Sequence, residues 1–206
     1  LVRDVTEVRR RDRALMSKDA TIREIHHRVK NNLQTVAALL RLQARRIDSP
    51  EAREALDEAV RRVGAIALVH ETLAHTPGEK VDVDEVVDRL VALVREMSLA
   101  SRGVTVTRTA SFGILSAEVV TPLAMALGEL LQNAVEHGRG ADVRLTPQRI
   151  DTDLVVEVVD AGPGIPPDRD PFATGRLGLQ IARTLATEEL GGEVELTPGP
   201  DGVGTV

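Results

Sequence analysis

The sequence predicts an α+β protein in two parts, an N-terminal helical hairpin followed by an α/β sandwich with a mixed sheet. Two observations support this prediction. Residues 1–47 contain no Pro or Gly and repeat apolar side chains at spacings of three and four, which is typical of a long helix. After a Thr-Pro-Gly linker at 76–78, helical and alternating segments follow one another without a strict β-α-β order. We therefore expect one domain at 1–77 and a second at 78–206.

The composition narrows the possible functions. Hydrophobic residues make up 42% of the 206 residues, but with two Phe and no Tyr or Trp the core must be aliphatic. The net charge is -6 and the basic residues are dispersed except near 9–13, which argues against a nucleic-acid partner. There is no Cys, so disulfides and thiolate metal sites are excluded and a cytoplasmic location is expected.

The sequence also lacks the marks of a membrane protein. No apolar run approaches the roughly 20 residues that cross a bilayer, and no signal peptide is recognisable, so we expect no membrane segment in this chain. The chain begins with Leu1 and stops at Val206 within a probable strand. We expect it to be a piece of a longer protein, with its last strand truncated.

The first helix carries two rows of residues at heptad spacing. One row is Leu1, Val8, Leu15, Ile22, Val29 and Val36, and the other is Val5, Asp12, Asp19, His26, Leu33 and Leu40. A seam with a period of about 3.5 residues indicates a coiled coil or a helical bundle. Asp12 and Asp19 weaken its N-terminal part, which fits either a signalling helix of marginal register or a frayed end.

A second amphipathic helix follows a break at 48–51. Ser49 suits the N-cap, Pro50 the first helical position and Glu51 the positive end of the helix. Its apolar residues are Ala52, Ala55, Leu56, Ala59, Val60, Val63, Ile66, Ala67 and Leu73. A single hairpin cannot bury both apolar faces, so we expect a homodimer closed by a four-helix bundle.

Two adjacent histidines lie within the first helix. Successive helical residues diverge by about 100°, so His26 and His27 cannot face the same way. His26 lies on the second heptad row and is expected to pack, whereas His27 lies one step off it and is expected to point outward. Taken alone, such a pair is more often ordinary core or helix surface than a reactive site.

The predicted elements of the second part follow in order. They are a helix at 83–99 capped by Asp82 or Asp84, a strand at 103–110, a helix at 116–137, strands at 141–145 and 154–159, a loop at 165–177, a helix at 178–190, and strand-like segments at 193–196 and from 203.

A polar helix face is the first candidate site in this part. Glu129, Asn133 and His137 are spaced at i, i+4 and i+8, so they lie along one face of the predicted helix. A carboxylate and a carboxamide supply the oxygen ligands that suit Mg²⁺. The alternative is an ordinary polar helix surface.

Two glycine-containing motifs provide the other candidates. Asp160 ends a predicted strand and precedes Gly162 and Gly164, so its carboxylate could accept a hydrogen bond from a base amino group; the alternative is a common turn. Gly175 and Gly178 flank the start of a helix, where backbone N–H groups can approach phosphates, although this signal is weak by itself. The three clusters in this order are much less easily explained by chance.

These motifs resemble those of a known family. Residues 128–138, 160–164 and 175–179 look like the N, G1 and G2 boxes of the ATP-binding fold shared by histidine kinases, DNA gyrase, Hsp90 and MutL. The segment at 24–34, Glu-Ile-His-His-Arg-Val-Lys-Asn-Asn-Leu-Gln, is similar to the phosphoacceptor box of the HisKA_2 and HWE histidine kinases. The resemblance covers nearly the whole chain and implies a sensor histidine kinase of a two-component system, with its sensor domain outside this chain.

The resemblance assigns roles residue by residue. It makes His27 the phosphoacceptor, Asn133 a ligand of Mg²⁺, Asp160 the reader of the adenine amino group and Glu129 a candidate base or orienting group. The nucleotide-binding residues that it implies are Asn133, His137, Asp160, Gly162, Gly164, Gly175, Leu177 and Gly178. ATP and Mg²⁺ are thus the expected cofactors.

The implied mechanism is attack of neutral His27 on the γ-phosphorus of ATP, followed by transfer to an aspartate of a response regulator receiver domain. Many histidine kinases have an acid directly after the phosphoacceptor, but Arg28 stands there in this chain. Either Glu24, three residues earlier on the same face, or Glu129 could orient the imidazole instead. Asn31 could position a water that dephosphorylates the regulator, or could be polar helix surface.

Two other functions remain open. The missing acid after His27 permits a catalytically weak, nucleotide-binding dimeric scaffold. An ATPase or a serine-directed kinase of the same fold would need no histidine helix and would keep its catalysis without residues 1–77.

Overall fold

The computed structural model describes residues 5–75, 80–99, 104–137, 142–162, 172 and 177–197. The chain divides into two compact units, Leu1–Val81 and Asp82–Val206. A helical hairpin precedes an α/β arrangement, which confirms the predicted fold class.

The first unit contains two long helices, α1 (Val5–Ala44) and α2 (Pro50–His75). The predicted N-cap at Ser49 is confirmed, because Ser49 Oγ accepts the backbone N–H of Ala52 at 3.3 Å. The same hydroxyl donates to Glu51 Oε2 at 2.6 Å. Arg53 donates to the backbone carbonyls of Ala44 and Ile47 at 3.3 and 2.8 Å, which ties the end of α1 to the start of α2.

The interior of the hairpin is lined by small residues. The most buried apolar residues are Ala37, Ala44, Val60, Ala67, Val69 and Ala74. Small side chains at a helix contact let the two backbones approach closely. Of the second predicted heptad row, His26, Leu33 and Leu40 are half-buried; of the first row, Val29 is half-buried while Ile22 and Val36 are 41% and 44% exposed.

The rest of the chain alternates helices and strands. The elements are β1 (Lys80–Asp82), α3 (Val83–Leu99), β2 (Val106–Arg108), β3 (Ile114–Ser116), α4 (Ala117–His137), β4 (Val143–Ile150), β5 (Asp153–Val159), α5 (Leu177–Thr184) and a π-helical turn (Leu185–Glu189). In the sheet ordered β2-β4-β5, β2 runs parallel and β5 antiparallel to β4, which confirms the predicted mixed sheet. The short strands β1 and β3 form a separate pair and were not predicted.

The start of α3 is held by acidic side chains. Asp82 is the N-cap, since its Oδ1 accepts the backbone N–H of Asp84 at 3.0 Å. Asp84 Oδ1 in turn accepts the N–H of Phe112 at 2.8 Å, and Arg108 forms a bidentate pair with Asp88 at 2.8 and 2.9 Å. These bonds tie the segment between β2 and β3 to α3 and bury Phe112 in the core.

Two strands differ in length from the prediction. The strand predicted at 103–110 is limited to 106–108, and the strand predicted at 141–145 occupies 143–150. Pro147 lies within β4 opposite Val156 of β5. Proline is tolerated there because β2 pairs with β4 only as far as Leu145, so the side of β4 that faced β2 has become an edge.

The C-terminal helix also departs from the prediction. Instead of one α-helix at 178–190, α5 widens into the π-helical turn, where Leu190 N–H bonds to the Leu185 carbonyl at 3.0 Å. The prediction of a strand at 193–196 is wrong for the described chain, since these residues form no strand. Alternating side chains indicate partial burial, but a strand also requires a neighbouring strand that satisfies its backbone groups.

Some predicted features lie outside the described residues. They are the linker at 76–78, most of the loop at 165–177 and the strand-like tail from 203.

The core of the second unit is mainly aliphatic, as the composition predicted, and also contains Phe112. Its fully buried side chains include Val86, Val87, Val120, Leu131, Val143 and Leu145. Helix α4 packs against α3, α5, β4 and β5, so it lies at the centre of this unit.

A pair of substitutions in β4 tests this core. Leu145→Ala should lower the free energy of unfolding of the second unit by about 2–5 kcal/mol, because Leu145 is fully buried in the central strand. Ile150→Ala, on the same strand but 49% exposed, should change it by at most about 1 kcal/mol. Amide hydrogen exchange of β4 measures this unit separately from the hairpin. Equal effects of the two substitutions would contradict the assigned core.

Candidate functional site

The two adjacent histidines face different directions on α1. His26 is half-buried within the hairpin, whereas His27 is exposed. This arrangement confirms the orientation predicted from the heptad rows, which include His26 and leave His27 one step off.

His26 meets a residue that was not singled out from the sequence, His70 of α2. The two Nδ1 atoms are 3.0 Å apart, and the ring centroids are 5.2 Å apart with an interplanar angle of 40°. A signal for His70 was present, since it continues the apolar spacing of Val63, Ile66 and Ala67 along α2. A polar residue on that face of the helix requires a polar partner when the hairpin forms.

Burial disfavours protonation of this pair. The pKa of His26 is lowered from 6.5, first by burial and then by the charge of neighbouring His27. The pKa of His70 is lowered from 6.5 by burial and by the charge of His26. Both shifts favour neutral imidazoles inside the hairpin near neutral pH.

A second polar contact joins the helices one turn along from the histidine pair. Lys30 Nζ donates to Glu71 Oε1 at 2.5 Å, with side-chain exposures of 21% and 32%. Because both groups are partly shielded from water, this ion pair is stronger than a fully exposed one. Lys30 and His26 are four residues apart and therefore lie on the same face of α1.

Glu24 is engaged by the residue after His27. Its Oε1 accepts hydrogen bonds from Arg28 Nε at 3.0 Å and from Arg28 Nη2 at 2.6 Å. The two side chains are 63% and 76% exposed, so the pair contributes little to stability. An orienting role of Glu24 at His27 would have to compete with Arg28.

In the second unit, α4 presents the predicted polar face. Glu129 and Asn133 are half-buried and one helical turn apart. His137 is the last residue of α4, and its side chain lies outside the described part of the structure. Since α4 packs against β5 and α5, its polar face belongs to the same unit as the two glycine motifs.

Asp160 lies directly after β5 and is 6% exposed. Its Oδ1 accepts the backbone N–H of Gly162 at 2.6 Å, which turns the chain away from the sheet. A buried carboxylate at a strand end is a suitable acceptor for a ligand that brings its own N–H donor. Gly164 lies outside the described residues.

The third motif meets the N-terminus of α5. Gly178 is buried in the first turn of the helix, and Leu177 is 55% exposed beside it. Gly175 lies outside the described residues. Phe172 is held against α5, because Gln180 Nε2 donates to its carbonyl at 3.1 Å and the Arg183 guanidinium lies 4.9 Å from its ring centroid.

The oxygen donors on α4 fit a hard divalent cation. No group of three His, Cys, Asp or Glu side chains suited to a metal occurs among the described residues. Glu129 and Asn133 together offer a carboxylate and a carboxamide, too few for an all-protein cage. Mg²⁺ is commonly bound by one or two protein oxygens together with substrate phosphates and water, so the donor set fits Mg²⁺ carried in with a phosphate ligand.

Two family models match the chain. The HisKA_2 model, described as histidine kinase, matches residues 24–98. The HATPase_c model, described as histidine kinase-, DNA gyrase B- and HSP90-like ATPase, matches residues 118–206. The first match contains both histidines of α1, and the second contains all three glycine and polar-face motifs.

Similar proteins carry the same description. Sensor histidine kinase PdtaS of Mycolicibacterium smegmatis is 51% identical over 207 residues, which cover 98% of this chain and 42% of that protein. PdtaS of Mycobacterium tuberculosis H37Rv is 50% identical over 199 residues, covering 94% of this chain and 40% of that protein. The chain therefore spans about two-fifths of the length of these curated relatives.

A solved structure has a similar fold along most of the chain. The histidine kinase domain of the EL346 blue-light activated histidine kinase from Erythrobacter litoralis gives a TM-score of 0.63 at 26% identity. The match covers 93% of this chain and 90% of that domain. Among the described residues, no helix has the length and apolar character needed to cross a membrane.

Titration of the histidine pair provides a test of this geometry. In the folded chain the imidazoles of His26 and His70 should titrate with pKa values below 6.5, as followed by the chemical shifts of their C2 protons. His26→Asn should raise the pKa of His70 part of the way towards 6.5, because the charge of His26 is lost while burial remains. NMR titration measures both values, with the urea-unfolded chain as the control.

The same shifts determine how the stability of the hairpin depends on pH. The unfolded chain binds more protons than the folded chain between pH 6.5 and the lowered pKa values. The contribution to stability is therefore complete above pH 6.5 and is lost as the pH falls through the folded-state values. A pKa of 6.5 or higher for either histidine in the folded chain would contradict this environment.

Proposed function

Since the chain belongs to the sensor histidine kinases, with a HisKA_2 segment and a HATPase_c domain, we propose that it is an autophosphorylating kinase core. In this proposal His27 receives the γ-phosphoryl group of ATP and passes it to an aspartate of a response regulator. The observation that carries it is the exposed imidazole of His27 beside the packed imidazole of His26, within the matched kinase segment. The core would act in the cytoplasm, where ATP is available.

ATP is assigned to the second unit. Asp160 would accept a hydrogen bond from the adenine amino group, for which its burial at the end of β5 is suitable. The turn at Gly162 would keep the backbone clear of the base, and the resemblance assigns Gly164 to the same motif. Gly175, Leu177 and Gly178 would bring backbone N–H groups and the positive end of α5 towards the phosphates.

The polar face of α4 would bind the triphosphate through its metal. Asn133 would hold Mg²⁺, with His137 at the end of the same helix. Bound there, Mg²⁺ would offset the negative charge of the phosphates. The residues of the chain then supply the position and the proton-accepting group for the transfer.

The phosphoryl step is a displacement at the γ-phosphorus. One neutral ring nitrogen of His27 forms the new N–P bond as the bond between the γ-phosphorus and the bridging oxygen of ADP breaks. The attacking ring becomes an imidazolium, so a carboxylate at its other nitrogen stabilises the developing charge and holds the reactive tautomer.

Glu129 is the better candidate for this carboxylate. Glu24 already accepts two hydrogen bonds from Arg28, and both side chains are largely exposed. Glu129 is half-buried, so its charge would be less screened by water than that of Glu24.

Phosphotransfer to a regulator would use the same face of α1. Asn31, one turn after His27, is exposed and could position a water for dephosphorylation of the regulator. Its backbone carbonyl accepts the Thr35 hydroxyl at 3.0 Å, one turn further along α1. Unchanged dephosphorylation of the regulator by Asn31→Ala would exclude this role.

We propose that the active form is a homodimer. Large apolar side chains of α1 at heptad-related positions remain exposed beside the hairpin contact, namely Ile22, Ile25, Val36 and Leu39. Ordinary protein surfaces expose apolar side chains singly, whereas these side chains lie along one helix and form a larger apolar patch. A second hairpin would cover it and complete a four-helix bundle.

The alternative is a nucleotide-binding dimeric scaffold without transfer. The specific observation in its favour is the Glu24–Arg28 pair, which occupies the acidic residue closest to His27 in the sequence. An assay of phosphoryl transfer separates the two functions.

Autophosphorylation is the direct test of the kinase proposal. With radiolabelled ATP and Mg²⁺, wild type and His26→Gln should both acquire acid-labile label, and His27→Gln should acquire none. Glu129→Gln should lower the rate about 10²–10⁴-fold, the range for a catalytic proton acceptor, and Glu24→Gln much less. Absence of label in wild type, with ATP still bound, would support the scaffold instead.

Charges placed on the exposed row of α1 test the dimer. The double substitution Ile25→Glu and Leu39→Glu should halve the mass measured by light scattering, because both side chains, 53% and 57% exposed, would be covered in the bundle. Gln34→Glu with Ala38→Glu, exposed on another face of α1, is the matched control and should leave the mass unchanged. A monomeric wild type would contradict the proposed assembly.

A further inference from the structure

At two places, contacts between titratable side chains join α1 and α2 within an interior that is mainly apolar. They are the His26–His70 contact at 3.0 Å and the Lys30–Glu71 ion pair at 2.5 Å. The nearby buried positions of α2 are the apolar Ala67, Val69 and Ala74, together with Thr72, whose hydroxyl donates to the Leu68 carbonyl at 3.1 Å. Apolar packing is not directional, whereas a hydrogen bond requires a defined distance and angle, so the polar contacts define the rotation of α1 against α2.

The contact between the imidazoles requires one shared proton. A neutral imidazole has one N–H donor and one acceptor nitrogen, so a bond between two Nδ1 atoms requires opposite tautomers. One added proton is compatible with the bond, because a charged donor still faces an acceptor. A second added proton places two N–H groups and two positive charges against each other, which breaks the bond.

Among the surrounding charges, that of His27 also acts on this equilibrium, because it lowers the pKa of His26. On α1 the titratable or charged groups of the adjacent turns are Arg23, Glu24, His27, Arg28 and Lys30, and on α2 the group is Glu71. Glu24 and Arg28 are largely exposed and pair with each other. Arg23 is exposed to water and is therefore strongly screened. The opposite charges of Lys30 and Glu71 lie together, so their effects on the imidazoles largely cancel.

The direction of His27 follows from the position of His26. The two residues are adjacent in one helix and diverge by about 100°, so holding His26 against α2 holds His27 on the outer flank. Rotation of α1 by a fraction of that angle would move the reactive nitrogen away from a phosphoryl donor. Misplacement of reacting atoms by about 1 Å can cost on the order of 10²-fold in rate.

On the basis of the proposed function of His27, we propose that His70 is a positioning residue for phosphorylation. By sharing a proton with His26, His70 holds α1 at the rotation that presents His27 to ATP. Double protonation of the pair releases this constraint, so phosphorylation loses its positioning in mildly acidic conditions. The burial that lowers both pKa values confines this loss to pH below 6.5.

Two substitutions at His70 test the role in the whole chain. His70→Leu removes the polar contact but keeps an apolar interior. His70→Asn keeps a donor or acceptor close to the position of Nδ1 but cannot take up a proton. Initial rates of His27 phosphorylation are measured with Mg²⁺-ATP between pH 5.5 and 8, together with the apparent KM for ATP and the helical circular dichroism.

At pH 7.5 we expect His70→Leu to lower the rate at saturating ATP roughly tenfold with an unchanged KM. We expect His70→Asn to retain the rate within about threefold, as a conservative replacement that preserves the hydrogen bond. The ratio of wild type to His70→Asn should fall as the pH drops below 6.5, because only wild type can be doubly protonated. This ratio cancels any pH dependence of the phosphoryl-transfer step that the two proteins share.

Equal rates for His70→Leu and wild type, or a ratio that does not change with pH, would overturn the positioning role. If His70→Leu loses its helical circular dichroism, the pH dependence of the rate ratio between wild type and His70→Asn still tests the positioning role. Absence of phosphorylation in wild type at every pH would refute the kinase function and with it the role of His70. ¹⁵N chemical shifts of His26 and His70 identify the shared proton without an activity assay. They therefore distinguish a chain that lacks kinase activity from a chain that lacks the contact between the two histidines.

Discussion

The rotation of a helix by about 100° per residue is the constraint on which the first unit depends. It makes the two adjacent histidines chemically different although their sequence context is the same. The 3.0 Å contact between His26 and His70 directs one imidazole inward, and the helix then directs the next imidazole outward. The reactivity proposed for His27 is therefore a consequence of what His26 contacts.

The second unit handles polar groups in a different way. Its helix α4 is buried on several sides by α3, α5 and the sheet, yet it keeps Glu129 and Asn133 half-exposed on one face. Asp160 is buried at the end of β5, and one of its oxygens satisfies the backbone of the following turn. Polar groups that are held by a rigid core need little reorganisation when a charged ligand binds, which favours both binding and phosphoryl transfer.

Sequence reasoning reached the features that depend on local chemistry. The opposite orientation of the histidines followed from helical periodicity, and the caps at Ser49 and Asp82 followed from side-chain hydrogen bonding. The polar face of α4 followed from spacing alone. These features involve residues that are close together in the chain, so their geometry is already contained in the helix or turn.

Features that depend on distant partners were not predicted. The contact of His70 with His26 joins residues 44 positions apart, and the extension of β4 through Pro147 depends on where β2 ends. The ion pair between Glu24 and Arg28 is local. However, Glu24 could have reached several side chains, so spacing alone did not identify Arg28 as its partner. The absence of a strand at 193–196 within the described chain shows the same limit, since alternation cannot supply a neighbouring strand.

Phosphate localisation in the unmodified chain tests the central claim most directly, because it needs no substitution. After incubation with Mg²⁺-ATP, mass spectrometry under conditions that preserve phosphohistidine should locate the phosphoryl group on His27 and leave His26 unmodified. Phosphate on His26, or on a serine or threonine, would contradict the assignment of the outward histidine as the phosphoacceptor.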